Sequence, residues 1–154
     1  MRRSVLPLAA VGVLACAPLA AYAALPTKHT HYRGKTSQGR PIVFDTTTSS
    51  RKLTGFEVGR AGPPPSGVKV FCSNDRNDFI DTRIRVNGEI PITSRGTFKL
   101  RAHVRGSIQE GDFKLYGRFR TRRRATGTLR LDSTRFSDSA HCTSGLLTFS
   151  ARAR

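Results

Sequence analysis

The chain has 154 residues, 27 lysines and arginines against 10 acids, a formal charge of +17, and no tryptophan. That length suits one small domain and excludes a large multidomain enzyme. Three cysteines are too few for a disulfide-stapled miniprotein, and apolar residues recurring to the C-terminus argue against wholesale disorder.

Residues 1–23 carry the pattern of a secretory signal peptide. Arg2 and Arg3 form the positive start, Val5 to Ala15 is apolar, and Ala21-Tyr22-Ala23 is a small-x-small site with cleavage expected after Ala23. The apolar run contains Pro7 and is shorter than the roughly 20 residues a spanning helix needs. An alternative rests on Val13-Leu14-Ala15-Cys16, which is similar to a bacterial lipobox and would leave the protein lipid-anchored through Cys16. The apolar Ala17 to Ala21 that follows is unlike the usual polar tether. Both readings predict a secreted or cell-surface protein.

Cleavage would leave Cys72 and Cys142, which are expected to pair in an oxidising compartment. A bond closing a loop of about 70 residues contributes roughly 4 kcal/mol. Metal binding by these two cysteines lacks further ligands at suitable spacing.

Beyond the signal, short period-2 segments alternate with turn residues, the pattern of an all-β domain. Residues 24–31 read as a flexible N-terminal arm and 32–154 as a single β domain. Tyr32 to Thr36 and Pro41 to Thr46 flank the turn Ser37-Gln38-Gly39-Arg40. Leu53 to Val58 is a strand, ended by Gly59 and the proline-rich stretch from Gly62 to Gly67. Val68, Val70 and Cys72 share a face, and Ser73 to Asp78 is a polar loop. Ile80 to Val86 reads as one alternating strand before the Asn87-Gly88 turn. Ile90 to Thr93 is short, and Pro91 puts it at an edge.

The clearest alternation lies in Phe98 to Arg105 and Phe113 to Arg120, joined by a connection from Gly106 to Asp112. Arg122-Arg123-Arg124 marks a strand end or turn. Ala125 to Leu131 alternates with Leu129 and Leu131 inward, Asp132 to Ala140 reads as a loop, and Gly145 to Ala151 as the last strand. About nine or ten short strands need two packed sheets or closure to protect their edges. The expectation is a two-sheet antiparallel β-sandwich, with a closed β-barrel as the alternative.

Tyr32, Gly34 and Thr36, then Gly39, then Pro41, Ile42 and Phe44 form an aromatic-x-Gly-x-Thr strand, a glycine turn and a Pro/Ile-x-Phe strand. With Cys72 mid-domain, Gly127 and Leu129 in a later strand, and the closing Cys142, Ser144, Gly145, Phe149, Ala151 and Arg152, the chain resembles a loose group of small secreted bacterial proteins. The resemblance covers most of residues 30–154. It implies an all-β secreted domain with one disulfide and carries no activity across. The arginine load is heavier than the group pattern requires.

Catalytic motifs are missing from the sequence: there is no Gly-x-Ser-x-Gly elbow, P-loop, His-Glu-x-x-His or Gly-x-Gly-x-x-Gly. Glu57, Glu89, Glu110 and the aspartates fall mainly at strand ends and loops, a poor basis for a glycosidase pair. His29 and His31 lie on one side of an extended arm, remote from His103 and His141, too few for a metal site. Asp75, Asn77 and Asp78 lack the spacing of a calcium loop. No enzymatic activity, metal or cofactor is expected. A secreted hydrolase ranks third among the readings.

The basic residues carry more information. Alternation puts Lys99, Arg101, His103 and Arg105 on one strand face, and Lys114, Tyr116, Arg118 and Arg120 on the outer face of the next. In a hairpin the two rows would lie side by side, with Arg83 and Arg85 extending them if their strand joins the same sheet. Like charges opposite one another repel, so such a face costs stability and points to an anionic partner. A merely solvated face is the competing reading, and 21 arginines against 6 lysines also fits codon composition. Arginine suits phosphate and carboxylate. The expected partner is an anionic cell-envelope polymer or nonspecific nucleic acid, bound by a monomer. The runner-up is a structural or protein-interaction module working through edge strands or loops.

Overall fold

A computed structural model describes residues 24–59, 67–74, 79–105 and 109–154. The signal pattern with Cys16 and Ala23, the proline-rich stretch at 62–66, and Asp75, Asn77 and Asp78 lie outside the described residues. Among the described residues the secondary structure is β throughout, and no helix is long and apolar enough to cross a membrane.

The strands are β1 His31–Thr36, β2 Pro41–Thr46, β3 Lys52–Val58, β4 Val68–Cys72, β5 Phe79–Thr82 and β6 Ile84–Arg85. They continue as β7 Ile90–Pro91, β8 Thr97–Arg105, β9 Gln109–Thr121, β10 Arg124–Arg135, β11 His141–Thr143 and β12 Leu147–Ala153. All belong to one antiparallel sheet in the order β5-β4-β11-β10-β12-β1-β2-β3-β6, with β7 also on β3 and β8-β9 on the other side of β10. A single bridge, Ile92 to Phe98, brings the β3 edge back to β8. The sheet is therefore one nearly closed, barrel-like layer. The two-sheet sandwich gives way to its stated alternative, because β10, paired along its whole length with β9, pairs on its other side with β12 along one half and with β11 along the other, which keeps all the strands in one sheet.

The inward residues form one core. Tyr32, Phe44, Phe56, Phe98, Phe113 and Phe119 are all essentially fully buried. Tyr32 stacks on Phe44 with centroids 5.1 Å apart, and Phe98 meets Phe119 at 5.6 Å. Two glycines face this cluster because nothing larger fits. A Cβ on Gly117 would stand 2.1 Å from the Phe98 ring, and one on Gly127 would stand 2.1 Å from the Tyr116 carbonyl oxygen. These gaps let the paired strands coil tightly enough to round the barrel.

Cys72 and Cys142 form the expected disulfide and sit directly opposite each other on β4 and β11. Those strands share only two paired positions, so the covalent link does much of the joining.

Four sequence expectations change. Residues 24–30 lie against the barrel rather than forming a free arm: Pro26 is buried, Thr27 N–H donates to the Arg122 carbonyl at 3.1 Å, and Thr46 Oγ1 donates to the Thr27 carbonyl at 2.6 Å. The single strand expected over Ile80 to Val86 is two, since β5 pairs with β4 while β6 crosses to β3. The connection expected up to Asp112 is already strand from Gln109, and the loop expected from Asp132 is strand through Arg135. The last two share a cause. Gln109 and Ser133 are polar residues facing the interior, and Ser133 Oγ donates to Gln109 Oε1 at 3.0 Å, so the hydrophobic period that marks a strand is broken there.

Candidate functional site

The β8–β9–β10 register assembles the predicted rows. Lys99 faces Tyr116, Arg101 faces Lys114, His103 faces Asp112, and Arg105 faces Glu110. On the far side of β9, Arg118 faces Thr126, Tyr116 faces Thr128, and Lys114 faces Arg130. Directly opposite residues in an antiparallel pair project to the same side, so these form transverse rows on the outer surface. One row, Arg101–Lys114–Arg130, is wholly cationic across three strands. The neighbouring row holds Lys99, Tyr116, Thr128 and, on β12, Thr148.

The face continues across β12 and β1. Arg124, Arg152 and Arg33 stand in direct register on three adjacent strands, all exposed. Lys35 faces Ser150, which faces Thr126. A bulge at the start of β10 adds Arg120 to the same surface, where its Nε donates to Thr126 Oγ1 at 3.1 Å. Tyr116, 52% exposed, rises among these cations and threonines. A shallow depression of about 360 Å³ lies between Tyr116, Arg118, Arg120 and Thr148. A second, of about 380 Å³, lies between Arg101, Lys114, His103 and Asp112.

The acids confine themselves to one end. Asp132 accepts from Arg130 Nε at 2.8 Å and from Thr143 Oγ1 at 2.8 Å, with Lys114 at 3.9 Å. Burial raises the pKa of Asp132, but these hydrogen bonds and positive charges outweigh it and hold the carboxyl below its ordinary value. His103 lies 3.5 Å from Asp112, and Arg105 lies 3.6 Å from Glu110 while its guanidinium covers the Phe136 ring at 5.5 Å. All eight predicted residues are thus on one side of the hairpin. They divide into a cationic part, Lys99, Arg101, Lys114, Arg118 and Arg120 around Tyr116, and a charge-balanced end holding His103 and Arg105.

Arg83 and Arg85 do not extend the rows within the sheet. They stand on the far bank of an open seam between β6 and β8, and Arg83 is held by a two-point pair with Glu57 at 2.7 and 2.9 Å. Arg130, Arg124, Arg152, Arg33 and Lys35 belong to the face and were not singled out from sequence. Alternation around inward Ala125, Leu129 and Leu131 already marks Arg124 and Arg130 as outward. The adjacency of β12 and β1 has no local sequence signal.

Among the described residues no three His, Cys, Asp or Glu side chains gather as metal ligands would. His29 is exposed, and His31 is bonded to Asp45 at 2.7 Å. Glu57, Glu89 and Glu110 each sit beside a cation rather than beside each other.

A scan of protein-family models finds no match to this chain, and comparisons with curated proteins and with solved structures find none either.

Proposed function

We propose that this is a secreted, non-catalytic domain that binds anionic polymer at the cell surface through the outer face of β8, β9, β10, β12 and β1. The observation that carries the reading is the register. Cations from five strands fall on one outward surface, and the acids are held in two rows at its end. Stacking like charges at strand spacing opposes folding unless counter-charge is supplied. A polymer with regularly spaced phosphates, sulfates or carboxylates supplies it along the whole face at once. The arginine fork and threonine hydroxyls donate to such oxygens, and Tyr116 offers a flat apolar surface beside them.

The test is a titration of fluorescently labelled polyphosphate, an acidic polysaccharide and single-stranded DNA at two salt concentrations. A Lys99→Ser, Arg101→Ser, Lys114→Ser, Arg120→Ser variant, altered only at exposed positions, is run beside the parent. Binding that weakens with salt and falls at least tenfold in the variant supports the reading. Equal binding by parent and variant rejects it.

A further inference from the structure

Among the described residues the sheet has two open edges, the outer side of β5, which pairs only with β4, and a seam between β6 and β8. β7 approaches β8 at the Ile92–Phe98 bridge, and from there the two edges part. Among the described residues β6 pairs only with β3, and β8 pairs only with β9 beyond that bridge. Between them lies a cleft of about 440 Å³ running in to Leu131 and Ser133 on the inner face of β10.

Both banks present backbone. Thr93 N–H donates to the Thr97 carbonyl at 2.8 Å, and Phe119 N–H donates to the Gly96 carbonyl at 2.9 Å. Antiparallel alternation from these points turns the N–H and C=O groups of Arg101, His103 and Arg105 away from β9 and into the seam. On the opposite bank Val86 N–H donates to the Phe56 carbonyl at 2.9 Å, so the peptide groups of Arg85 turn away from β3, again into the seam. The inward row of β8 is open in the same place. Phe98 is buried, yet Leu100, Ala102 and Val104 are only partly covered.

Charge opposes closure at the far end of the seam. The outward charged side chains on the two banks are mostly basic: Arg83 and Arg85 with one acid, Glu89, on one, and Lys99, Arg101 and Arg105 on the other. Glu89 is held by Lys52, Arg83 by Glu57 and Arg105 by Glu110, which leaves Arg85, Lys99 and Arg101 as the cations for an incoming acid. Continuing the Ile92–Phe98 register would bring Arg85 directly against Arg105. Like charges at that spacing resist closure.

We propose that the seam receives an extended acidic segment of a partner protein, added as a strand along the free edge of β8. Its backbone pairs with Arg101, His103 and Arg105. Its apolar residues turn inward over Ala102 and Val104, and its alternate acidic residues turn outward between the arginines of the two banks. This site is separate from the polymer face, with which it shares only the outward side chains of β8.

The probe is a labelled, acetylated seven-residue peptide of alternating glutamate and valine, followed by fluorescence anisotropy. Two controls accompany it, its lysine-valine counterpart and the same peptide N-methylated at every second amide. The expected result is binding of the acidic peptide, at least tenfold weaker after N-methylation, with slowed amide exchange at Arg101, His103 and Arg105. Arg85→Glu weakens peptide binding at least threefold and leaves polyphosphate binding intact. Lys114→Ser with Arg120→Ser weakens polyphosphate binding and leaves peptide binding intact. No binding at millimolar peptide, equal binding of the methylated peptide, or slow exchange of those three amides in the free protein overturns the proposal.

Discussion

Arg101 and Lys114 stand directly opposite each other on β8 and β9, and Arg130 stands directly opposite Lys114 on β10. Asp132 is the nearest acid, and it is already engaged by Arg130 and Thr143. The three cations of this row thus share a single acid. Removing the row's charge therefore has two opposite effects. Arg101→Ser with Lys114→Ser weakens polyanion binding and lowers the slope of log affinity against log salt by about one for each phosphate the variant no longer neutralises. The same change leaves thermal stability unchanged or slightly higher, because a repulsion has gone. Arg105→Ser, at the charge-balanced end beside Glu110, changes affinity far less. A calorimetric melt and a salt titration on the same samples check all three statements.

The disulfide is predicted to matter most for β4 and β5. Gln38 reinforces that region by reading the backbone of Lys69 at two points, donating to its carbonyl at 3.1 Å and accepting from its amide at 2.9 Å. That clamp is small beside a loop closure worth roughly 4 kcal/mol. Cys72→Ser with Cys142→Ser, or reduction of the native protein, lowers the melting temperature by roughly 10 °C or more. Differential scanning calorimetry with and without reductant measures it, and an unchanged transition contradicts the assignment of stability to this link.

Gly127→Ala tests the tight coiling of β9 and β10. The new methyl meets the Tyr116 carbonyl oxygen and the Phe149 ring, and the backbone oxygen cannot swing aside as a side chain does. The expected cost is about 2 kcal/mol or more, seen as a lower denaturant midpoint at an unchanged slope. A neutral result means the strands relax freely at this point.

Acid sensitivity follows from Asp138. Its carboxyl is held well below the ordinary value by hydrogen bonds from Arg135, Asn74 and the Ala140 amide, against a smaller opposing effect of burial. A carboxylate whose pKa is lowered by folding stabilises the fold above its unfolded pKa, near 4, and loses that contribution as pH falls toward the folded value. Asp138→Asn therefore melts below the parent at pH 6, and the gap closes as the pH is lowered from 5 to 2. A gap that stays constant or widens in acid contradicts the sign.

The fold was legible in the sequence wherever inward residues were apolar. Phe98 to Val104, Phe113 to Phe119 and Ala125 to Leu131 show clean alternation, and their faces are those observed. It was illegible where Gln109 and Ser133 satisfy each other inside the barrel, since a polar pair looks like loop. The break at Arg83, where the chain leaves one edge of the sheet for the other, has no sequence mark because Ile80 to Val86 alternates without interruption. For the candidate site, alternation located both rows. Which acids neutralise them, and which other strands prolong them, depends on pairings such as Arg124–Arg152–Arg33 that join distant parts of the chain.

The most direct measurement is an amide chemical-shift map of the domain titrated with polyphosphate at low and moderate salt. The expected result is salt-sensitive shifts concentrated at Lys99, Arg101, Lys114, Tyr116, Arg118 and Arg130, extending toward Arg124 and Arg152. Shifts scattered over the whole surface, or none at all at millimolar phosphate, would contradict it.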